Sequence, residues 1–348
     1  MVSSLTTSIK SKTSQKSAYA WVVGVASLKH PQWRKTTTKY SNFKQNLASP
    51  KMKNETTPNT LSLNGFSILP HWYTDRTIYI PSNPQINLLE KTMIENGIFH
   101  LTISHSQDIV YEDNNVDFLE KLKDLVIGID IFLRHEIDLK AINHLHKLES
   151  IEIPSKRTTN IDFSNFKHLK NCRIGWQKGD ETLVECRSLD RLIIWNFPYE
   201  DISIFHRFNN LQKLYLTGKI RSLLGISNLV HLKSLELSDN RRLENLDGIE
   251  DLKELKSLYI ENSSRINDID DFKGLIQLEK LELLCRAKIQ SIKSLQDLVH
   301  LNMVRLVGIE VLDGDVSPLI GKGHIVFGTF PYYNYTMKQI EEINKNMR

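Results

Sequence analysis

Apolar residues recur along most of this chain in one short frame. Leu229, Leu232, Leu235 and Leu237 follow the order apolar-x-x-apolar-x-x-apolar-x-apolar, and Leu252, Leu255, Leu258 and Ile260 repeat it. The frame continues through Leu275/Leu278/Leu281/Leu283 and Leu298/Leu301/Val304/Leu306. Upstream it fits Phe208/Leu211/Leu214/Leu216, Cys186/Leu189/Leu192/Ile194, Phe166/Leu169/Cys172/Ile174, Leu145/Leu148/Ile151/Ile153 and Leu119/Leu122/Leu125/Ile127. Weaker copies stand at both ends. Ile98/Leu101/Ile103 has Glu95 in the first position, and Leu319/Ile325/Phe327 has Lys322 in the second. Successive third positions, from Leu101 to Ile325, fall 20 to 26 residues apart. Such self-similarity marks tandem structural units. Amphipathic helices do not reproduce an apolar-x-apolar ending at this interval.

Two apolar residues one apart, such as Leu235 and Leu237, belong to a short strand and point to one side, while the residue between them points to the other. The rest of each unit returns to the start of the next strand, and its own apolar residues, such as Leu243, Leu246 and Ile249, fill the core from the far side. Stacked units then share one continuous core. Eleven strands at about 4.8 Å spacing predict a concave sheet of order 50 Å. Repeats are expected over residues 98–330. Residues 61–97 read as an N-terminal cap, with Thr77-Ile-Tyr-Ile80 as a strand one period upstream and Ile86–Asn96 as a short helix. Residues 331–348 read as a C-terminal capping helix opened by Thr336-x-x-Gln339, a capping-box pattern. Tyr332, Tyr333 and Tyr335 either cover the last repeat with it or form a binding patch.

On these residues, and above all on Leu235-Glu-Leu-Ser-Asp-Asn240 followed by Leu243-Glu-Asn-Leu-Asp-Gly-Ile249, the array resembles the leucine-rich repeat family. The likeness is to the short-repeat type of bacterial internalins and phosphatase-regulating solenoids. It implies an α/β fold class: a right-handed solenoid with a parallel concave β-sheet, a short helical or irregular convex side, and caps at both ends. One departure matters. The family's usual Asn, three residues after the second strand position, occurs only as Asn240; Lys156, Gln177, Phe197, Lys219, Ser263, Arg286 and Ile309 stand elsewhere. A regular asparagine ladder is absent, so irregular turns are expected. Architecture follows from such a resemblance far better than function does. Bacterial proteins of this type include adhesion, effector and toxin-neutralising proteins.

Charge refines the picture. The chain has 45 basic and 41 acidic residues, but residues 1–54 hold ten basic and no acidic ones, leaving 35 against 41 in the remainder. The body is mildly acidic, which argues against a nucleic-acid footprint on it. Residues 1–60, rich in Ser, Thr and Lys, read as a disordered tail. Two other readings stay open: a targeting segment around Ala18–Ala26, and translation starting at Met52. No apolar run reaches the length of a membrane span. Cys172, Cys186 and Cys285 have neither disulfide-framework nor zinc-site spacing and are expected as reduced, buried thiols, which favours a cytoplasmic location.

The residue between each strand pair is expected on the concave face: Thr102, Val126, Glu152, Arg173, Ile193, Tyr215, Glu236, Tyr259, Glu282, Arg305 and Val326. Trp195, Trp176, Arg191 and Lys213 lie close by in sequence. Arg173, Trp176, Arg191, Trp195, Lys213, Tyr215, Glu236, Tyr259, Glu282 and Arg305 therefore form the candidate partner-binding set. Large aromatics mixed with Arg are what protein-binding hot spots favour; the competing reading is cross-strand pairing that only stabilises the sheet. His168, His231 and His300 hold equivalent positions in separate repeats, and His144 and His146 lack companion ligands, so all read as surface residues. Gly321-Lys-Gly-His324 lacks the rest of a phosphate-binding loop and reads as a tight turn. The expected function is a non-enzymatic, monomeric module that binds a protein ligand, with no nucleic acid, cofactor or metal. Two rivals remain. One is an exported surface or adhesion protein. The other is an enzyme or enzyme subunit with its site in residues 61–118, where His71, Trp72, Asp75, His100 and His105 lie without a motif.

Overall fold

A computed structural model describes residues 61–71, 73–104, 111, 113–133, 135–154 and 156–347. The readings of residues 1–60, together with Trp72 and His105, lie outside the described residues. The chain divides into two compact units, one running to Asn114 and including Gly128–Glu136, the other made of Asn115–Ile127 and Ile137–Arg348.

The first unit begins with β1 (Leu61–Leu63) and β2 (Phe66–His71). Asn64 and Gly65 join them, both at positive φ (51° and 83°), as a two-residue hairpin turn requires. β3 (Asp75–Ile80) pairs antiparallel with β2, and Thr77–Ile80 does form the strand expected there. Helix α1 (Ile86–Asn96) follows, burying Leu89 and Met93 and ending at Gly97 in the left-handed region. β4 (His100–Ser104) and β5 (Gly128–Phe132) then add parallel strands, with Ile78, Leu101 and Ile129 aligned and Ile80, Ile103 and Ile131 aligned two residues on. These six side chains are buried, and Tyr79, Thr102 and Asp130 project from the opposite face.

The pairing of β5 corrects the expected register. Leu125 and Val126 both donate their backbone N–H to Leu122 O, so the turn runs on and the strand starts only at Gly128. The frame of this repeat is Leu122/Val126/Ile129/Ile131, with one residue inserted between its first two apolar positions. Val126 is a buried core residue, and Asp130 takes the outward position.

Among its described residues the second unit contains nine parallel strands: β6 (Ser150–Ile153), β7 (Asn171–Gly175), β8 (Arg191–Phe197), β9 (Lys213–Gly218), β10 (Ser234–Ser238), β11 (Ser257–Glu261), β12 (Lys280–Ile289), β13 (Met303–Val311) and β14 (His324–Phe327). The third and fourth apolar positions of each repeat are buried against short 3-10 turns on the other side. Repeat ends vary with the residue that follows the strand. Asn240, fully buried, donates to Leu216 O (3.0 Å) and Ser238 O (3.1 Å) and turns the chain inward. Where Phe197 and Ile309 stand instead, the strand continues to seven residues in β8 and nine in β13. Register shifts occur in β8 between Ile194 and Phe197 and in β12 between Leu284 and Ala287. The missing asparagine ladder thus produces the expected irregularity. Lys322 keeps its buried, otherwise apolar position by donating its ammonium to Gln296 O and Leu298 O. Helix α2 (Met337–Asn346) opens with the Thr336/Gln339 capping box, and Asn344 bonds to Leu319 O and Lys322 O. All three cysteines are buried and unpaired. Among the described residues, no helix is long and apolar enough to cross a membrane.

Candidate functional site

In the second unit the outward residues of neighbouring strands are in register: Glu152 beside Arg173, Arg173 beside Ile193, Ile193 beside Tyr215, and so on through Glu236, Tyr259, Glu282, Arg305 and Val326. Two ion pairs bracket the row. Arg173 Nη1 lies 2.8 Å from Glu152 Oε2, and Arg305 Nη1 lies 2.7 Å from Glu282 Oε2. The Arg173 guanidinium also sits 5.8 Å from the centroid of the half-buried Trp195 ring, in cation–π range. Trp195 aligns with Gly175, which has no side chain to compete for that space.

Between the ion pairs stands a different group. Tyr215 and Tyr259, each half-buried, flank Glu236 on the adjoining strands. Glu236 is only 8% exposed, and its Oε2 has no hydrogen-bond partner. Burial pushes its pKa up to about 7, opposed by Arg191 and reinforced by Glu282. Burial likewise raises the phenols of Tyr215 and Tyr259 and lowers the cationic groups of Arg191 and Lys213. Nine of the ten expected binding residues thus lie along this strand face or at its edge. Trp176 does not. It follows the end of β7, is 7% exposed, and packs edge-on against Phe197 (5.4 Å) and Tyr199 (5.8 Å).

The first unit carries a second constellation. His71, at the end of β2, His100, at the start of β4, and Asp130, in the middle of β5, bring their ligand atoms within 4.8 Å of one another. His71 Nε2 lies 2.8 Å from Asp130 Oδ2, and His100 Nε2 lies 3.6 Å from Asp130 Oδ1. The imidazoles stack with centroids 3.9 Å apart. All three side chains are at most 6% exposed. Burial pushes the Asp130 carboxyl up, but the nearness and charge of the His100 and His71 imidazoles outweigh it and hold it well below the ordinary range. Burial lowers the pKa of His100, with Asp130 opposing. Gly128 makes the arrangement possible, because a Cβ there would fall 1.9 Å from His100 Cδ2.

Sequence reasoning named His71 and His100 but missed Asp130. The apolar-x-apolar step Ile129-Asp130-Ile131 was the available signal, masked by the nearer Leu125/Ile127 step. Asp75 stands at the tight β2–β3 turn, paired with His71 across the hairpin, and is not one of the three converging side chains. His168, His231, His300, His144 and His146 are exposed, as expected.

The family pattern described as leucine-rich repeats in two copies matches residues 230–274. No curated protein sequence matches the chain. Among solved structures the chain is similar to an internalin from Listeria monocytogenes, at 16% identity and a TM-score of 0.43, covering 73% of this chain and 87% of that one. It is also similar to a Leptospira interrogans leucine-rich repeat protein, at 14% identity and a TM-score of 0.40, covering 76% and 86%. A chain of the mouse RP105/MD-1 complex is similar at 15% identity and a TM-score of 0.48, covering 71% and 45%.

Proposed function

We propose that this chain, a leucine-rich repeat protein, is a non-enzymatic recognition module that binds a protein ligand on the outward strand face of its second unit. The observation that carries this reading is the Tyr215–Glu236–Tyr259 row, two half-buried aromatics in register around a carboxylate with an unpartnered oxygen. Aromatic and Arg side chains supply large contact area, and hot spots concentrate in such partly desolvated centres. A Lys or Arg of the ligand fits between the tyrosines, pairing with Glu236 while the ring faces meet the cation. The Glu152–Arg173 and Glu282–Arg305 pairs compensate each other within the chain and leave Glu236 as the carboxylate that gains most from an added cation.

The test is affinity capture with the full chain and with Trp195→Ala, Tyr215→Ala and Glu236→Gln, followed by quantitative mass spectrometry. Ligand retained by the wild type is expected to fall at least tenfold with each variant while circular dichroism stays unchanged. Equal retention by all three, with folding intact, refutes the reading.

A further inference from the structure

The cluster in the first unit combines two imidazoles and one carboxylate, a set that binds first-row divalent cations. We propose that His71 Nε2, His100 Nε2 and the Asp130 carboxylate form a binding site for one divalent transition-metal ion, zinc foremost. Three observations carry it. His100 Nε2 and Asp130 Oδ1 are buried, face each other across 3.6 Å, and have no hydrogen-bond partner. Buried polar atoms are rarely left so, and a cation between them satisfies both at once.

Ligand spacing is the second. Tetrahedral ligands about 2.0–2.1 Å from zinc stand about 3.3 Å apart. The 2.8 Å and 3.6 Å separations, each to one oxygen of the Asp130 carboxylate, bracket that value, and the three ligand atoms all lie within 4.8 Å of one another.

The third is the outer contacts. A metal-bound imidazole donates its other ring N–H to a fixed acceptor. His100 Nδ1 lies 3.1 Å from Thr77 Oγ1, which passes its own proton to His100 O. His71 Nδ1 lies 3.2 Å from Thr74 Oγ1, which donates to Arg76 O. Each ligand thus has a threonine oxygen within reach of Nδ1, and for His100 this contact suits the metal-binding tautomer. For His71 this tautomer displaces the arrangement in which Nδ1 accepts from the Tyr73 and Thr74 backbone N–H groups at 3.3 Å. Metal binding therefore moves a proton from Nε2 to Nδ1 of His71. The site belongs to the first unit and the Tyr215–Glu236–Tyr259 row to the second, and its existence does not depend on that row's function.

The test is titration of the chelator-treated full chain with Zn2+ by calorimetry, with Asp130→Asn, His100→Gln and the control His231→Ala. His231 is the natural control because it is exposed and pairs with Glu254 at 3.0 Å. One zinc per chain is expected, weakened at least tenfold by Asp130→Asn and by His100→Gln and unchanged by His231→Ala. X-ray absorption of the wild-type zinc adduct is expected to show two imidazoles and an oxygen ligand at about 2.0–2.2 Å. Absence of one-to-one binding, or variants that titrate like the wild type, overturns the proposal. If the substituted chains fail to fold, the absorption spectrum decides: fewer than two imidazoles refutes the site and leaves a purely hydrogen-bonded cluster.

Discussion

Replacing Glu236 by Gln removes one proton-binding group from the centre of the strand face while keeping its shape. Its carboxyl titrates at about 7 in the folded chain against 4.5 ordinarily. The folded state therefore holds a proton that the unfolded state has released, throughout the window between these values. Stability contributed by this group is then highest below pH 4.5 and falls as pH rises to about 7. At about 1.4 kcal/mol per tenfold change, the whole window amounts to about 3 kcal/mol. Gln carries no such term, so the stability of Glu236→Gln relative to the wild type rises by about that amount from pH 4.5 to pH 8. Thermal unfolding followed by circular dichroism at several pH values reads it as a gap opening by on the order of 5 °C. Parallel curves for the two chains refute both the burial of the carboxylate and its lack of compensation. A ligand cation beside Glu236 reverses the effect, so ligand binding releases a proton near pH 6.

Other expectations concern the scaffold. Asn240→Ala leaves Leu216 O and Ser238 O without their buried donor and is expected to cost about 1–3 kcal/mol in denaturant titration. Gly128→Ala drives a methyl into the His100 ring; we expect a loss of about 1–3 kcal/mol and displaced His100 resonances in NMR spectra. Arg157→Met strands Asp180, its fully buried ion-pair partner, and is expected to cost about 3–5 kcal/mol at neutral pH. Because burial already pushes the Asp180 carboxyl up and Arg157 opposes that, part of this loss is regained on acidification, which unfolding at pH 5 and pH 8 measures.

The repeat architecture was legible because the same four apolar positions recur, and β6 to β14 start where that frame places them. Thr336 and Gln339 announced helix α2 through a local hydrogen-bond pattern that needs no tertiary information. Legibility failed where a residue count changed. Before β5 the chain spends one further three-residue step of the frame and one inserted residue in the turn, so the strand pair falls four residues later and the outward position is Asp130 rather than Val126. Trp176 was misplaced for a related reason. The strand rule stops applying where β7 ends, and the ring turns back onto Phe197. The His71–His100–Asp130 cluster lay beyond spacing rules altogether, since β2, β4 and β5 bring together residues far apart in sequence.

The central claim is that ligand binds the outward strand face of the second unit. Hydrogen exchange of the full chain, with and without a ligand retained in the capture experiment, tests it most directly. The account predicts added protection in residues 191–195, 213–217, 234–238 and 257–261, and none in the 3-10 turns at Ile226–Asn228, Ile249–Asp251 and Asp270–Gly274. Protection confined to those turns, with the four strands unchanged, would contradict it.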